Sequence, residues 1–188
     1  MAPYTESIKF ALSELDKHKN SLMRVHFPDV TVNKPAVQIS RTSAAEQPVL
    51  TVSSQLPNLS TAKKYIAACL DLDPPYPSMP VLGPLLHGIQ ADLQLESTEA
   101  SKGWLALKAT TKPVVTYVGP APPPLSSPHR YLFLLWEQPE GLTGADIRTR
   151  LELPEEVGIG GRVRWNQEGF EKKAELGQVI AATYFVCS

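Results

Sequence analysis

Residues 130–137 run Arg-Tyr-Leu-Phe-Leu-Leu-Trp-Glu, a stretch that is apolar in both of its alternating sets. Side chains two apart on a strand share a face, so Leu132, Leu134 and Trp136 lie on one side and Phe133 and Leu135 on the other. A strand that is apolar on both faces has to sit centrally in a sheet, with a layer packed over each side. Directly upstream comes Gly119-Pro-Ala121-Pro-Pro-Pro-Leu-Ser-Ser-Pro-His129, a loop stiffened by proline that delivers a histidine to the mouth of the strand. His129 and Tyr131 point one way and Arg130 the other. Polar side chains held at the end of a rigid element make a candidate site.

A second segment has the same character. Residues 65–72 read as an apolar strand that runs into Asp71 and Asp73 and then a proline cluster containing Pro75, Pro77 and Pro80. While the strand persists, the two aspartates share a face. His87 then opens His-Gly-Ile-Gln-Ala-Asp92-Leu, another short strand. The chain thus offers two carboxylates, two histidines and a tyrosine, each at a strand end beside proline-rich turns.

Strands are also expected at 49–53, 114–118 and 179–186, and at 104–110 on a weaker pattern. A helix is expected at 5–19, where Ile8, Ala11, Leu12 and Leu15 recur at helical spacing behind a Thr5 cap. A second helix starts at an Asn166 cap and ends near Leu176, with Gly177 as its left-handed stop. The chain's eighteen prolines cluster outside these runs, marking loops between strands. Strands in series with punctuated connections suggest a mostly β, Greek-key antiparallel sandwich. A length of 188 residues suits a single domain over 1–188.

The formal net charge is −1 and no long block of like charge is present, which excludes a nucleic-acid stripe and a polybasic membrane patch. Lys17-His18-Lys19 and Lys172-Lys173 read as solvated helix faces. No run reaches the ~20 apolar residues of a membrane span, and the N-terminal residues show no signal peptide. Cys69, inside an apolar strand, is expected to be buried, and Cys187, near the last residue, to be exposed. Two cysteines make no disulfide framework, so a reducing, cytoplasmic setting is expected.

An imidazolium, a tyrosine hydroxyl and turn N–H groups would make a small donor-rich cavity suited to phosphate or carboxylate. Each residue also has a plainer reading. His87 and His129 can be hydrogen-bonded structural histidines, and Asp73 can cap a turn. His18 and His26 read as surface or structural, and Tyr117 and Trp136 as core. Four scattered histidines and two distant cysteines give no zinc spacing. Asp71, Asp73 and His87 could assemble a carboxylate–imidazole site, but nothing in their spacing demands one. No nucleotide, flavin or pyridoxal motif is present, so no cofactor is expected. Ser126 and Ser127 stand near His129 without a nucleophile elbow.

Asp71-Leu-Asp73-Pro-Pro75 followed by His87, and Gly119-Pro-Ala121-Pro-Pro followed by His129-Arg-Tyr131, resemble the two signature boxes of the phosphatidylethanolamine-binding protein family, which includes the Raf-kinase-inhibitor-like proteins. Phe27-Pro-Asp-Val30 and Trp165-Asn-Gln-Glu-Gly-Phe170 have counterparts there too, so the resemblance covers nearly the whole chain. It implies a β-sandwich with flanking helices and a cis peptide before Pro75. It also implies one anion pocket lined by Asp71, His87, His129 and Tyr131 with Gly119 backbone, and extends the ligand-binding set to Asp73, Pro75 and Ala121. The chain departs from the family pattern at Leu72, at Ala121 in place of the second glycine, at Tyr76 in place of a small serine, and at Leu85 in place of an aromatic. These changes look like a pocket reshaped for another molecule.

Two functions follow as expectations. One is a protein that binds a small anionic or carboxylated ligand, or regulates a protein partner. The other is a cofactor-free enzyme of secondary metabolism, of cyclase, dehydratase or decarboxylase type. In it Asp71 or His87 would act as base, and His129 with Tyr131 as acid or oxyanion stabiliser. The resemblance extends to fungal relatives associated with pathways to carboxylated or anhydride products.

Overall fold

The computed structural model describes residues 4–18, 21–96 and 103–188. Its centre is β8 (His129–Glu137), which pairs antiparallel with β5 (Lys64–Asp71) on one edge and β9 (Ala181–Cys187) on the other. Both faces of β8 are covered, as its sequence requires. Phe133 and Leu135 enter one apolar core, while Leu132, Leu134 and Trp136 enter another. Fully burying each such side chain is worth roughly 1.5–3 kcal/mol.

Among the described residues nine strands form one strip. Outward from β5 lie β6 (Leu85–Glu96), β7 (Trp104–Ala109), β4 (Val49–Ser53), β1 (Met23–His26) and β2 (Thr31–Val32). Beyond β9, β3 (Val37–Gln38) adds the strip's one parallel pairing. The strip folds over until β1 and β2 touch β9, giving the two layers of a nearly closed antiparallel sandwich. Met23, Val25, Leu50 and Val52 from one layer meet Phe133, Leu135 and Phe185 from the other. Among the described residues three helices cover the outer face. Ile8, Ala11 and Leu15 of α1 (Glu6–His18), Ile147 of α2 (Gly144–Arg150) and Phe170 of α3 (Gln167–Lys173) pack with Ile66, Leu70, Leu132 and Trp136. Trp136 and Phe170 meet edge to face at 6.1 Å. No helix among the described residues is long and apolar enough to cross a membrane.

Several expectations change. Residues 114–118 form no strand, because their contact with β6 is reduced to one bridge, Ile89 with Val115, and a bond from Val118 N–H to the His87 carbonyl. Two bulges in β6 break the repeat that a ladder needs. Helix α3 stops at Lys173, and Glu175 at φ 53, rather than Gly177, takes the left-handed position. Cys187 is buried because its strand is clamped between β8 and β3, and both cysteines are free thiols. Lys19, the expected last residue of α1, and the first three residues of the signal-peptide reading lie outside the described residues. The short β1, β2 and β3 were not expected. Nor was α2, although Thr143 and Asp146 form a reciprocal capping box at its start.

Candidate functional site

The second bulge of β6, at its end nearest the proline loops, positions the first site residue. Cys69 pairs with Gly88 and Leu70 with Leu86, leaving His87 as the extra residue, pushed out of the ladder. Its Nδ1 lies 2.7 Å from the Val118 carbonyl oxygen. A carbonyl only accepts, so Nδ1 carries the hydrogen. Burial pushes the His87 imidazole below its ordinary value, against the pull of the Val118 bond and the Asp71 charge, and the Arg162 charge adds to the lowering. Neutral His87 therefore leaves Nε2, which has no partner among the described residues, as a lone-pair acceptor.

His129 stands at the start of β8, almost wholly buried. Its Nδ1 is 2.8 Å from Asp71 Oδ2 and its Nε2 is 3.0 Å from Ser126 Oγ. Asp71 ends β5, and its Oδ1 accepts the Asp73 N–H at 2.9 Å. The turn bond is thus made by Asp71, not by Asp73 as expected. Because the strand ends at Asp71, the two carboxylates diverge. Asp73 is gripped by Arg130 through its backbone N–H (2.8 Å), Nε (2.9 Å) and Nη2 (2.6 Å). These bonds hold the guanidinium charged, raising its pKa against the effect of burial.

Asp71, Pro75, His87, Gly119, Ala121 and His129 line one cavity of about 570 Å³. Asp73 and Tyr131 do not. Asp73 is consumed by Arg130, and Tyr131 is sealed beneath the histidines, its ring 5.0 Å from that of His87 and stacked on Phe185 at 5.0 Å. The Tyr131 hydroxyl makes no hydrogen bond of ordinary geometry among the described residues, and burial followed by the nearby Asp71 carboxylate raises its pKa. Leu85 lines the cavity, whereas Tyr76 is turned outward in a bridge with Met79. The peptide before Pro75 is cis, as is that before Pro84. The proline loop is held from behind. Gly119 lies so close to residues 44 and 45 that a Cβ would sit 2.9 Å from Ala45 Cα, and Arg41 Nη2 donates to the Pro122 carbonyl at 2.6 Å.

Arg162 was not legible in the sequence. It follows the 3-10 turn Ile159–Gly161, and its backbone carbonyl accepts the Leu86 N–H, which brings it beside β6. Its buried guanidinium donates to the carbonyls of Val157 (2.9 Å), Leu86 (3.3 Å), His87 (3.0 Å) and Thr116 (2.9 Å), and no carboxylate pairs with it among the described residues. Burial lowers its pKa, but an arginine stays charged. The cavity wall therefore carries a cation next to His87, with Leu82, Leu85, Val157, Ile159 and Val163 making an apolar side. No group of three or more histidine, cysteine or acidic side chains that could hold a metal occurs among the described residues.

Residues 17–185 match the family described as phosphatidylethanolamine-binding protein. The sequence is 34% identical over 110 residues to phomoidride biosynthesis cluster protein N of Talaromyces stipitatus, covering 55% of this chain and 49% of that protein. It is 37% identical over 76 residues to carboxypeptidase Y inhibitor of Saccharomyces cerevisiae, covering 36% of this chain and 35% of the inhibitor. The matched region thus spans half or less of each of these relatives. Among solved structures, carboxypeptidase Y inhibitor complexed with its cognate proteinase superposes with a TM-score of 0.70 at 20% identity, over 97% of this chain and 98% of the inhibitor. A phosphatidylethanolamine-binding protein from Plasmodium vivax gives 0.60 at 18% identity, over 88% and 83%. At those identities the likeness is one of fold.

Proposed function

The chain belongs to the phosphatidylethanolamine-binding protein family, and from that premise we propose that it binds a small carboxylate or phosphate compound with an apolar body. The observation that carries this reading is Arg162, a buried cation bonded only to carbonyls, in the wall of a cavity that is otherwise mostly apolar. A buried charge without a counter-ion is costly, and an anionic ligand supplies one. The apolar side favours a ligand with a hydrocarbon portion over a bare ion. Ala121 and Leu85 stand at the wall where the resemblance implies a glycine and an aromatic, so the head-group pocket of the family is reshaped here.

Titration calorimetry with benzoate, phenyl phosphate and neutral benzamide tests it. Saturable binding of either anion without binding of benzamide is expected. Equal binding of benzoate and benzamide, or none by any of the three, would sink the reading.

His87 favours a second reading, in which the protein is a cofactor-free enzyme of secondary metabolism. Its neutral Nε2 faces the ligand as a base, and the likeness to a phomoidride cluster protein supports the setting. A protein partner, by analogy with the inhibitor of a proteinase, and a cytoplasmic location belong to the same set of proposals.

A further inference from the structure

We propose that Ser126, His129 and Asp71 form a nucleophilic relay that cleaves activated acyl compounds, esters or thioesters, at the mouth of the cavity. The inference starts from distances rather than from a sequence motif. Asp71 Oδ2 is 2.8 Å from His129 Nδ1, and His129 Nε2 is 3.0 Å from Ser126 Oγ. A carboxylate, an imidazole and a hydroxyl in this order are what activate a serine, wherever they come from in the chain. The carboxylate is itself fixed, because Asp71 Oδ1 accepts the Asp73 N–H. His129 and Asp71 are buried, so the pair is shielded from water, while Ser126 is half-buried and reachable.

Ser126 makes a second contact, 2.9 Å from the Ser127 carbonyl oxygen. The two contacts correspond to the two protonation states the relay needs. With His129 neutral, Nδ1–H donates to Asp71 and Nε2 accepts the serine proton. With His129 doubly protonated, Nε2–H donates to Ser126 Oγ, whose hydrogen turns to the Ser127 carbonyl. In both states the two ring nitrogens of His129 and the Ser126 hydroxyl have partners.

The backbone points the same way. Leu125, immediately before Ser126, is held at φ 67 with its side chain fully exposed. Strained backbone of this kind gathers at functional sites. Ser126 lies outside the cavity wall, on the loop whose Pro122 and Pro123 line it. A substrate would therefore place its apolar body inside the cavity and its reacting carbonyl at the rim.

The step balances as follows. Ser126 Oγ bonds to the acyl carbon as its proton passes to His129 Nε2, and the bond to the alcohol or thiol breaks as that proton moves to the leaving oxygen or sulfur. Water then attacks the acyl-serine, giving its proton to His129, which returns one to Ser126 and releases the carboxylic acid.

An alkyl fluorophosphonate tests the relay directly, since the serine oxygen bonds to phosphorus, fluoride leaves and the serine proton goes to His129. Intact mass and peptide mapping should find a single adduct on Ser126 in the wild type and none in Ser126→Ala. The labelling rate should fall by about two to four orders of magnitude in His129→Gln and Asp71→Asn. Circular dichroism decides which variants are folded, and Ser126→Ala, a half-buried loop substitution, carries the test if the other two are not. No adduct on Ser126, or an equal rate in folded His129→Gln, overturns the relay. Anion binding by the wild type without labelling would sink the relay alone. Labelling without anion binding would sink the binding proposal alone.

Discussion

Arg162 concentrates two effects in one side chain. It satisfies four backbone carbonyls from two segments and from β6 itself, and it charges the cavity wall. Arg162→Met should destabilise the protein by several kcal/mol, since each buried polar group left unpaired costs about 1–3 kcal/mol. It should also remove benzoate binding, and urea denaturation and calorimetry on the same sample read both. His87 sets the pH behaviour. Unfolded, its imidazole titrates near 6.5, whereas in the fold burial holds it lower. The unfolded chain therefore takes up that proton first as pH falls. The contribution of His87 to stability is complete above about 6.5 and is lost as pH drops through the folded value. Urea midpoints at neutral and mildly acidic pH should show this loss in the wild type and a shallower slope in His87→Gln. Because burial holds His87 below its ordinary value, the cation that the cavity wall offers beside it at neutral pH is the guanidinium of Arg162. Nothing in the residues around Arg162 signalled this, since apart from the nearby Val157 the carbonyls that place it, those of Leu86, His87 and Thr116, are far away in sequence.

β8 was legible because alternation works for a regular strand, and its two apolar sets fall into two different cores. β6 was legible only in outline. Leu86 faces the helices, and so do Ile89 and Ala91, while Leu93 and Leu95 face the inner core. Simple alternation cannot produce that pattern, because each bulge shifts its phase by one residue. The two bulges hold two buried polar residues, His87 and Asp92. Asp92, at φ 54, accepts from Lys64 (2.8 Å), Gln138 (3.0 Å), Thr111 (3.1 Å) and the Gly144 N–H at the start of α2 (2.8 Å). Burial opposes its charge, but these bonds prevail and hold its carboxyl below the ordinary value. Its stabilising effect is therefore present above about 3.8 and lost as pH falls through the folded value. Asp92→Ala should cost about 1–3 kcal/mol for each buried donor it leaves unpaired and loosen α2, which hydrogen exchange at residues 144–150 would detect. The sequence reading stopped at Asp92 as a strand residue, because the donors that surround it come from four other segments.

The whole molecule is a strip of strands wrapped around one core and backed by helices around a second, and the site lies where the ends of β5, β6 and β8 meet three loops. Tyr131 joins site to core, with the His87 ring on one side and Phe185 on the other. Phe185→Ala should cost about 3–5 kcal/mol and, by freeing Tyr131, weaken ligand binding without touching the cavity wall. Chemical denaturation and calorimetry would separate the two effects. The bulge at His87 has a consequence of a different kind. Cys69 and Leu70 are consecutive, yet their partners Gly88 and Leu86 are two apart, and the histidine occupies the gap. Deleting Gly88 would keep every polar side chain of the site in the sequence. It would also let the ladder close evenly and draw the imidazole into line opposite Cys69, one step deeper and away from Val118. What brings His87 to the cavity is an odd number, one strand counting a residue more than its neighbour, and a change of length with no change of chemistry would be enough to undo it.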